Sequence, residues 1–178
     1  MGGERDAGWR VYPTCGLAAV KLDRIDIRIL SELQKNGRLT NLELADRVNL
    51  SASPCLARMK KLHTAGFITG FSAQLDLTRM VDVLTVFTEV TLARHRTDDF
   101  ARFLAAVEKI DQVVECHVIS SGYDYLVKFN TCGISQYQEL IENLLDLDLG
   151  IVKYFSYIVF KTPVRPRQVP VSAMIRSL

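Results

Sequence analysis

The sequence predicts an α+β protein in which a helix-turn-helix domain precedes a ferredoxin-like βαββαβ domain. Two observations lead to this prediction. Apolar residues recur at helical spacing early in the chain, whereas from residue 84 onward helical stripes alternate with short β-type runs. The chain has 178 residues, enough for one domain or two small ones. No apolar run approaches the roughly 20 residues needed to cross a bilayer.

The first two predicted helices lie in LDRIDIRILSELQKNG and TNLELADRVNL. Asp23 is the candidate N-cap of the first helix, and Gly37 closes it. Its apolar stripe contains Ile25, Ile29, Leu30 and Leu33. The second helix opens with a Thr40–Glu43 capping box and ends at Asn49, a residue type that tolerates the left-handed conformation. Its apolar stripe contains Leu42, Leu44, Ala45 and Val48.

The third predicted helix starts at the serine-proline step Ser53-Pro54, runs to about Ala65 and stops at Gly66. A short turn between the last two helices is the helix-turn-helix arrangement. The inward face of the third helix carries Cys55, Met59 and Leu62, with Leu56 beside them. The face predicted to point outward carries Pro54, Ala57, Arg58 and Lys61, with Lys60 at its edge. Small and basic residues on such a face suit a major groove, but a solvated helix in a bundle explains the same pattern equally well.

The second half of the chain predicts four strands and two helices in the order βαββαβ, which is typical of ferredoxin-like folds. The strand-like runs cover residues 84–93, 113–120, 125–130 and 151–161. Both helices would pack on one face of an antiparallel sheet. The other face also needs a cover, and a second copy of the same sheet is the simplest one.

Charge is unevenly distributed although the net charge is only +2. Residues 21–70 carry nine Lys or Arg against five Asp or Glu, while residues 71–162 carry eight against thirteen. A basic first part and an acidic second part indicate surfaces for different partners. We interpret residues 1–20 as a disordered extension and residues 163–178 as a C-terminal tail. Isolated cysteines without a signal peptide are typical of a cytoplasmic protein.

Catalysis has little support in the sequence. No phosphate-binding, hydrolase or dinucleotide motif occurs, and no metal site or cofactor is expected from the four scattered cysteines. Cys116 and His117 are neighbours on a predicted strand, so their side chains point to opposite faces. Cys55 lies on an inward stripe, where cysteine usually acts as a small apolar residue. We therefore do not expect an enzyme. In SSGYDYLV, Gly122 and Asp124 either form a structural turn or accept an ammonium group, and the turn is the favoured interpretation.

Residues 22 to about 161 resemble the Lrp/AsnC family of transcription regulators. The resemblance is carried by LDRIDIRILSELQKNGRLTNLELADRVNLSASPCLARMKKLHTAGFITGF and by VECHVISSGYDYLVKF. It implies a winged-type helix-turn-helix domain over 21–66 and a hinge strand and linker over 67–82. It also implies a sensing and oligomerisation domain over 83–162, followed by the tail from 163. Family members form dimers that assemble into octamers or larger discs.

The resemblance also implies the partners and the residues that contact them. Candidates for contact with double-stranded DNA are Ser51, Ser53, Pro54, Arg58 and Lys61, with Arg47 and Lys60 as weaker candidates. An amino-acid effector such as leucine would lie between dimers, contacted by Val118, Gly122, Asp124, Ile134, Tyr157, Ile158 and Val159. In this arrangement Asp124 receives the amino group and the apolar residues hold the side chain.

Two residues depart from the family pattern. Ser121 stands where the family usually has glycine, which could narrow or close the effector pocket, and Asp146 replaces a leucine near the contact between dimers. The first hypothesis is thus a sequence-specific regulator of amino-acid metabolism that responds to an amino acid. The alternative is an architectural protein that wraps DNA and has no functional effector site.

Overall fold

The structure is a computed structural model that describes residues 21–120, 122–164 and 168–175. These residues form two compact units. The first contains the chain up to Gln74 together with the segment 168–175, and the second contains the residues from Leu75 to 164. The extension predicted over residues 1–20 and the departure at Ser121 lie outside the described residues. In the described ranges, no helix has the length and apolar character needed to cross a membrane.

The first unit contains the three predicted helices, α1 (Arg24–Lys35), α2 (Asn41–Val48) and α3 (Ala52–Thr64). Both predicted N-caps are confirmed. Asp23 caps α1 in a reciprocal box with Asp26, and Thr40 forms the predicted box with Glu43. Asn49 adopts the left-handed conformation, with φ 58°. These local signals set where α1 and α2 begin and how the turn between α2 and α3 starts.

The start of α3 differs from the prediction. Its N-cap is Ser51, so Ser53 lies inside the helix and Pro54 occupies its third position. Proline at this position does not lower the stability of the helix, because the N–H groups of the first helical turn have no partner within the helix in any case. At the other end, Gly66 has φ 78°, and the N–H of Phe67 donates to the carbonyl of Leu62 at 3.0 Å. This Schellman arrangement ends α3 where the glycine predicted it.

Buried apolar side chains from all three helices form the core of the first unit. They are Ile29, Leu33, Leu44, Ala45, Val48, Cys55, Leu62 and Ile68. Leu42 was predicted on the inward stripe of α2 but is exposed, because α2 turns only its Leu44–Ala45–Val48 side toward the core. The inward face of α3 is confirmed at Cys55 and Leu62, which are buried.

The second unit has the predicted βαββαβ order. A four-stranded antiparallel sheet has the spatial order β2-β3-β1-β4. Its elements are β1 (Val83–Leu92), α4 (Thr97–Val107), β2 (Val113–Val118), β3 (Tyr125–Cys132), α5 (Ile134–Asp146) and β4 (Ile151–Ile158). Both helices bury one sheet face, where Phe103 of α4 stacks on Tyr125 of β3 with ring centroids 4.5 Å apart. The buried Thr88 hydroxyl lies 2.7 Å from that of Tyr137, so this polar pair is satisfied inside the core.

The hinge strand expected near residues 67–76 is not formed in this single chain. These described residues have no regular secondary structure, and a 3-10 turn follows at Leu77–Arg79. A strand needs a neighbour for its N–H and C=O groups, and no described segment pairs with this one. This segment and the 3-10 turn region after it instead expose several apolar side chains, namely Phe71, Leu75, Leu77, Met80 and Val81.

The C-terminal segment, expected to be a simple tail, contains the short helix α6 (Val171–Ile175), which packs against α1. Gln34 of α1 holds the segment through its side-chain amide. Its Nε2 donates to the Val169 carbonyl at 2.9 Å, and its Oε1 accepts the N–H of Val171 at 2.9 Å. One side chain therefore satisfies two backbone groups of the returning chain.

Replacing Gln34 by alanine is expected to release residues 168–175 from α1, because both amide contacts are lost. Each such hydrogen bond contributes about 0.5–1.5 kcal/mol. Hydrogen-exchange mass spectrometry should show faster exchange in peptides from 168–175 and in α1. Gln138→Ala, on an exposed position of α5, is the matched control. Unchanged exchange in the Gln34→Ala variant would contradict the assigned role of this side chain.

Candidate nucleic-acid interface and effector site

The exposed face of α3 is the candidate nucleic-acid interface. It differs in part from the face predicted from the sequence. The exposed side chains along it are Ser53, Ala57, Lys60, Lys61 and Thr64. Small residues near the helix start allow a backbone to approach closely, and the two lysines provide positive charge without an ion pair among the described residues.

Contacts to the rest of the first unit fix the orientation of α3. The Asn41 side chain, at the start of α2, donates to the carbonyl of Ala52 at 2.8 Å. Cys55 and Leu62 anchor the opposite side of the helix in the core. These contacts hold the turn between α2 and α3 in place. The lysine face of α3 therefore has a fixed orientation within the first unit.

Arg58 does not project from the outward face, and this corrects the sequence prediction. Its Nη1 lies 2.6 Å from the Asp23 carboxylate and 2.7 Å from that of Asp26, both on α1. The physical reason is helical geometry: at 100° per residue, Arg58 lies only about 60° around the helix from the buried Cys55. Hydrogen bonds to Asp23, and then to Asp26, raise the pKa of the guanidinium further above its usual range.

Arg47 and Ser51 were also predicted to contact DNA; Arg47 lies in the last turn of α2, and Ser51 is the N-cap of α3. Arg47 pairs with Glu32 at 3.1 Å, and the Arg28 guanidinium donates to the Arg47 carbonyl at 2.9 Å. Lys35 first and Arg47 second hold the pKa of Glu32 below its usual range. Arg47 therefore ties α2 to α1, while Ser51 and Pro54 are exposed at the start of α3.

The seven predicted effector residues form two groups at different levels of the sheet. One group lies where β2 ends and β3 begins: Val118, Gly122 and Asp124. The other lies beyond the end of β3 and at the end of β4: Ile134, Tyr157, Ile158 and Val159. Tyr157 and Ile158 are level with the fourth and fifth residues of β3, so their backbone lies about 13–17 Å along the strands from Asp124. The backbones of the two groups are therefore separated within a single chain.

Asp124 is engaged within its own chain. Its Oδ2 accepts the N–H of Leu92 at 2.7 Å, and its Oδ1 lies 2.9 Å from Nε2 of His95. Its backbone N–H donates to the carbonyl of Val90 at 2.9 Å. The carboxylate therefore fixes the β2–β3 loop to the end of β1.

Sequence reasoning missed a polar cluster on the sheet face that the helices leave open. Glu89 of β1 lies opposite Phe155 of β4 on this face. Partial burial, and then the charge of Glu89, raise the pKa of Tyr123 and of Tyr157. The period-two alternation of β1 had already placed Glu89 on this face. The approach of Tyr123 from the loop has no local sequence signal.

The residues considered for catalysis do not form a reactive site. Cys116 pairs with Val127 on the helix-covered face, and His117 pairs with Leu126 on the open face, as the alternation predicts. Burial first, and then the Glu108 charge, raise the pKa of the Cys116 thiol to about 11, which disfavours a thiolate. His117 contacts Glu115 at 3.1 Å. No group of three metal-ligating side chains occurs among the described residues.

Two family models match the two units in the order of the chain. Residues 22–69 match the winged helix-turn-helix DNA-binding family, and residues 85–169 match the Lrp/AsnC ligand binding domain. Thus α1 to α3 fall within the first match and the sheet within the second, whereas α6 lies beyond both.

Similar proteins extend over most of the chain. The transcriptional regulatory protein DoeX of Halomonas elongata is 44% identical over 147 residues, which cover 83% of this chain and 93% of that protein. The leucine-responsive regulatory protein of Salmonella typhimurium is 45% identical over 141 residues, or 79% of this chain and 85% of that protein.

Solved structures of similar proteins share the fold. A transcriptional regulator from Neisseria meningitidis, solved as a complex with L-Met, gives a TM-score of 0.79 at 33% identity, covering 86% of this chain and 99% of that one. AsnC of Escherichia coli gives a TM-score of 0.76 at 25% identity, covering 84% and 99%.

Proposed function

This chain belongs to the Lrp/AsnC family of DNA-binding transcriptional regulators, and from that premise we propose that it binds specific DNA sequences and responds to a small amino acid. Its first unit is the DNA-binding domain and its second is the ligand-binding domain of the family. The observation that carries the proposal is the lysine face of α3, which is exposed on a helix whose opposite face is anchored in the core.

The proposed DNA contact follows from the chemistry of α3. Lys60 and Lys61 contact phosphates, while Ser53 and Ala57 allow the helix to enter the major groove. Arg58 stabilises the position of α3 rather than contacting DNA, because its guanidinium is paired with Asp23 and Asp26. Phosphate contacts release counterions, so DNA affinity should fall steeply as salt is added.

The proposed effector site is shared between chains. The groups around Asp124 and around Ile158 lie about 16 Å apart along one sheet, so we place a ligand that touches both where two chains meet. The exposed apolar residues Val118, Ile134 and Ile158 suit an aliphatic side chain. Binding at such a junction stabilises the assembly that forms it, which couples the amino acid to self-association.

We further propose that two copies pair through the open face of the sheet. Phe155 and Tyr157 of β4 are 49% and 51% exposed on it, next to Phe87 and Leu126. A face with several large apolar side chains is typical of a surface that is covered in the assembled protein. We propose that these dimers assemble further into octamers or larger rings. Sedimentation velocity would test this assembly.

One observation favours the alternative of an architectural protein without a working effector site. Both carboxylate oxygens of Asp124 already have a partner in the chain, so an incoming ammonium group competes there with existing contacts. A protein of this kind would bind and organise DNA in the same way at every amino-acid concentration.

The proposed function is tested by selecting high-affinity duplexes from a random pool and measuring binding to a selected duplex and to its shuffled sequence. We expect the selected duplex to bind at least 10³-fold more tightly near 0.15 M salt, the lower end for specific recognition. Repeating the titration with each of the twenty amino acids tests the response. Equal affinity for both duplexes would instead identify an architectural protein.

A further inference from the structure

The two oxygens of Asp124 have partners of different kinds. Oδ2 accepts the backbone N–H of Leu92, a contact that belongs to the sheet and cannot move away without disturbing β1. Oδ1 meets the side chain of His95, with 2.9 Å between Oδ1 and Nε2. Only the second partner is a side chain that can rotate away.

His95 lies on the surface in the short loop between β1 and α4. Its side chain is 64% exposed, whereas that of Asp124 is 14% exposed. Besides the carboxylate, its ring lies beside Phe100, with centroids 5.9 Å apart at a tilt of 49°. The imidazole is thus held over Asp124 by one carboxylate contact and one ring contact on its exposed side, and a pair with an exposed partner has a small net stability.

We propose that His95 occupies the position in which Asp124 would receive the ammonium group of an amino acid, so that the chain competes with its own effector. The inference rests on the proposed amino-acid response. An imidazole N–H and an ammonium N–H both donate to a carboxylate oxygen. An amino acid that takes this position displaces His95, so its apparent affinity is reduced in proportion to the fraction of molecules in which the position is open.

The other carboxylate near the loop offers no easier position. Glu89 lies on the open sheet face, and its charge contributes to raising the pKa of Tyr123 and of Tyr157. An ammonium group there would compete with two donors rather than one. The His95 contact thus sets how readily the loop accepts a ligand, and it makes His95 a residue that tunes effector affinity.

The test compares binding of L-methionine and L-leucine by isothermal titration calorimetry to the wild-type full chain and to His95→Ala. We expect about two- to fivefold tighter binding in His95→Ala, the range for removing a competing exposed ion pair. His95→Lys retains a side-chain donor on the loop and should bind as weakly as the wild type. Arg94→Ala removes a neighbouring cation that has no contact with Asp124, and it should also leave the affinity unchanged.

N-acetyl-L-methionine, which lacks the ammonium group, separates this inference from a general loosening of the loop. Its affinity should not increase in His95→Ala, and an increase equal to that of L-methionine would overturn the proposal. Equal binding of L-methionine to wild type and His95→Ala would also overturn it, while leaving amino-acid sensing intact. Binding to neither protein overturns both. Thermal unfolding of each variant confirms that the fold is retained.

Discussion

Replacing Arg58 by alanine is expected to lower the free energy of unfolding of the helix-turn-helix unit and to weaken DNA binding only as a consequence. Asp26 is 3% exposed, and its carboxylate would lose the guanidinium that lies 2.7 Å away. Leaving a buried charged acceptor unpaired costs about 1–3 kcal/mol. Urea unfolding followed by circular dichroism should record a loss of that size.

The double variant Arg58→Ala, Asp26→Asn provides the control, because it removes the unpaired charge together with its partner. It should recover part of the lost stability, and the coupling free energy between the two positions should be favourable. If Arg58→Ala instead unfolds like the wild type but binds the selected duplex weakly, Arg58 contacts DNA directly, and its pairing with α1 is secondary.

Replacing Lys60 and Lys61 by alanine together should have the largest effect on DNA affinity and little effect on folding. Each lysine that neutralises a phosphate contributes about 0.9 to the slope of log affinity against log salt. Loss of both contacts lowers affinity by on the order of 30-fold near 0.15 M salt. Fluorescence anisotropy titrations at several salt concentrations measure the slope and the affinity together.

Lys109→Ala is the matched control for this prediction, because Lys109 is an exposed lysine in the second unit. It changes the net charge by the same amount per residue but lies outside the candidate interface. If Lys109→Ala reduced the slope of log affinity against log salt by as much per lysine, DNA affinity would depend on net charge and not on the lysine face of α3.

Much of the fold was predictable because its signals are local. The Asp23 and Thr40 caps, the left-handed Asn49 and the glycine after α3 each act within a few residues of the chain. The period-two pattern of β1 placed its side chains on the correct sheet faces. Such signals fix where elements begin and end, and the order of the elements then indicates the ferredoxin-like topology.

The features that the sequence did not predict depend on residues far apart in the chain. Arg58 and Asp26 are 32 positions apart, and the same separation lies between Asp124 and Leu92. Helical spacing alone would have placed Arg58 near the core, but only the structure identifies its partners. The return of residues 168–175 to Gln34 is likewise a long-range contact, made by a five-residue helix without a distinct amphipathic pattern.

The return of the C-terminal segment to α1 has a consequence for synthesis of the protein. The first unit consists of two stretches of chain with the entire second unit between them. At translation rates of about 5–20 residues per second, the ~90 intervening residues take roughly 5–20 s to appear. During that interval the three helices fold without α6, and Gln34 is bound to water. The unit that leaves the ribosome first is therefore the last to be completed.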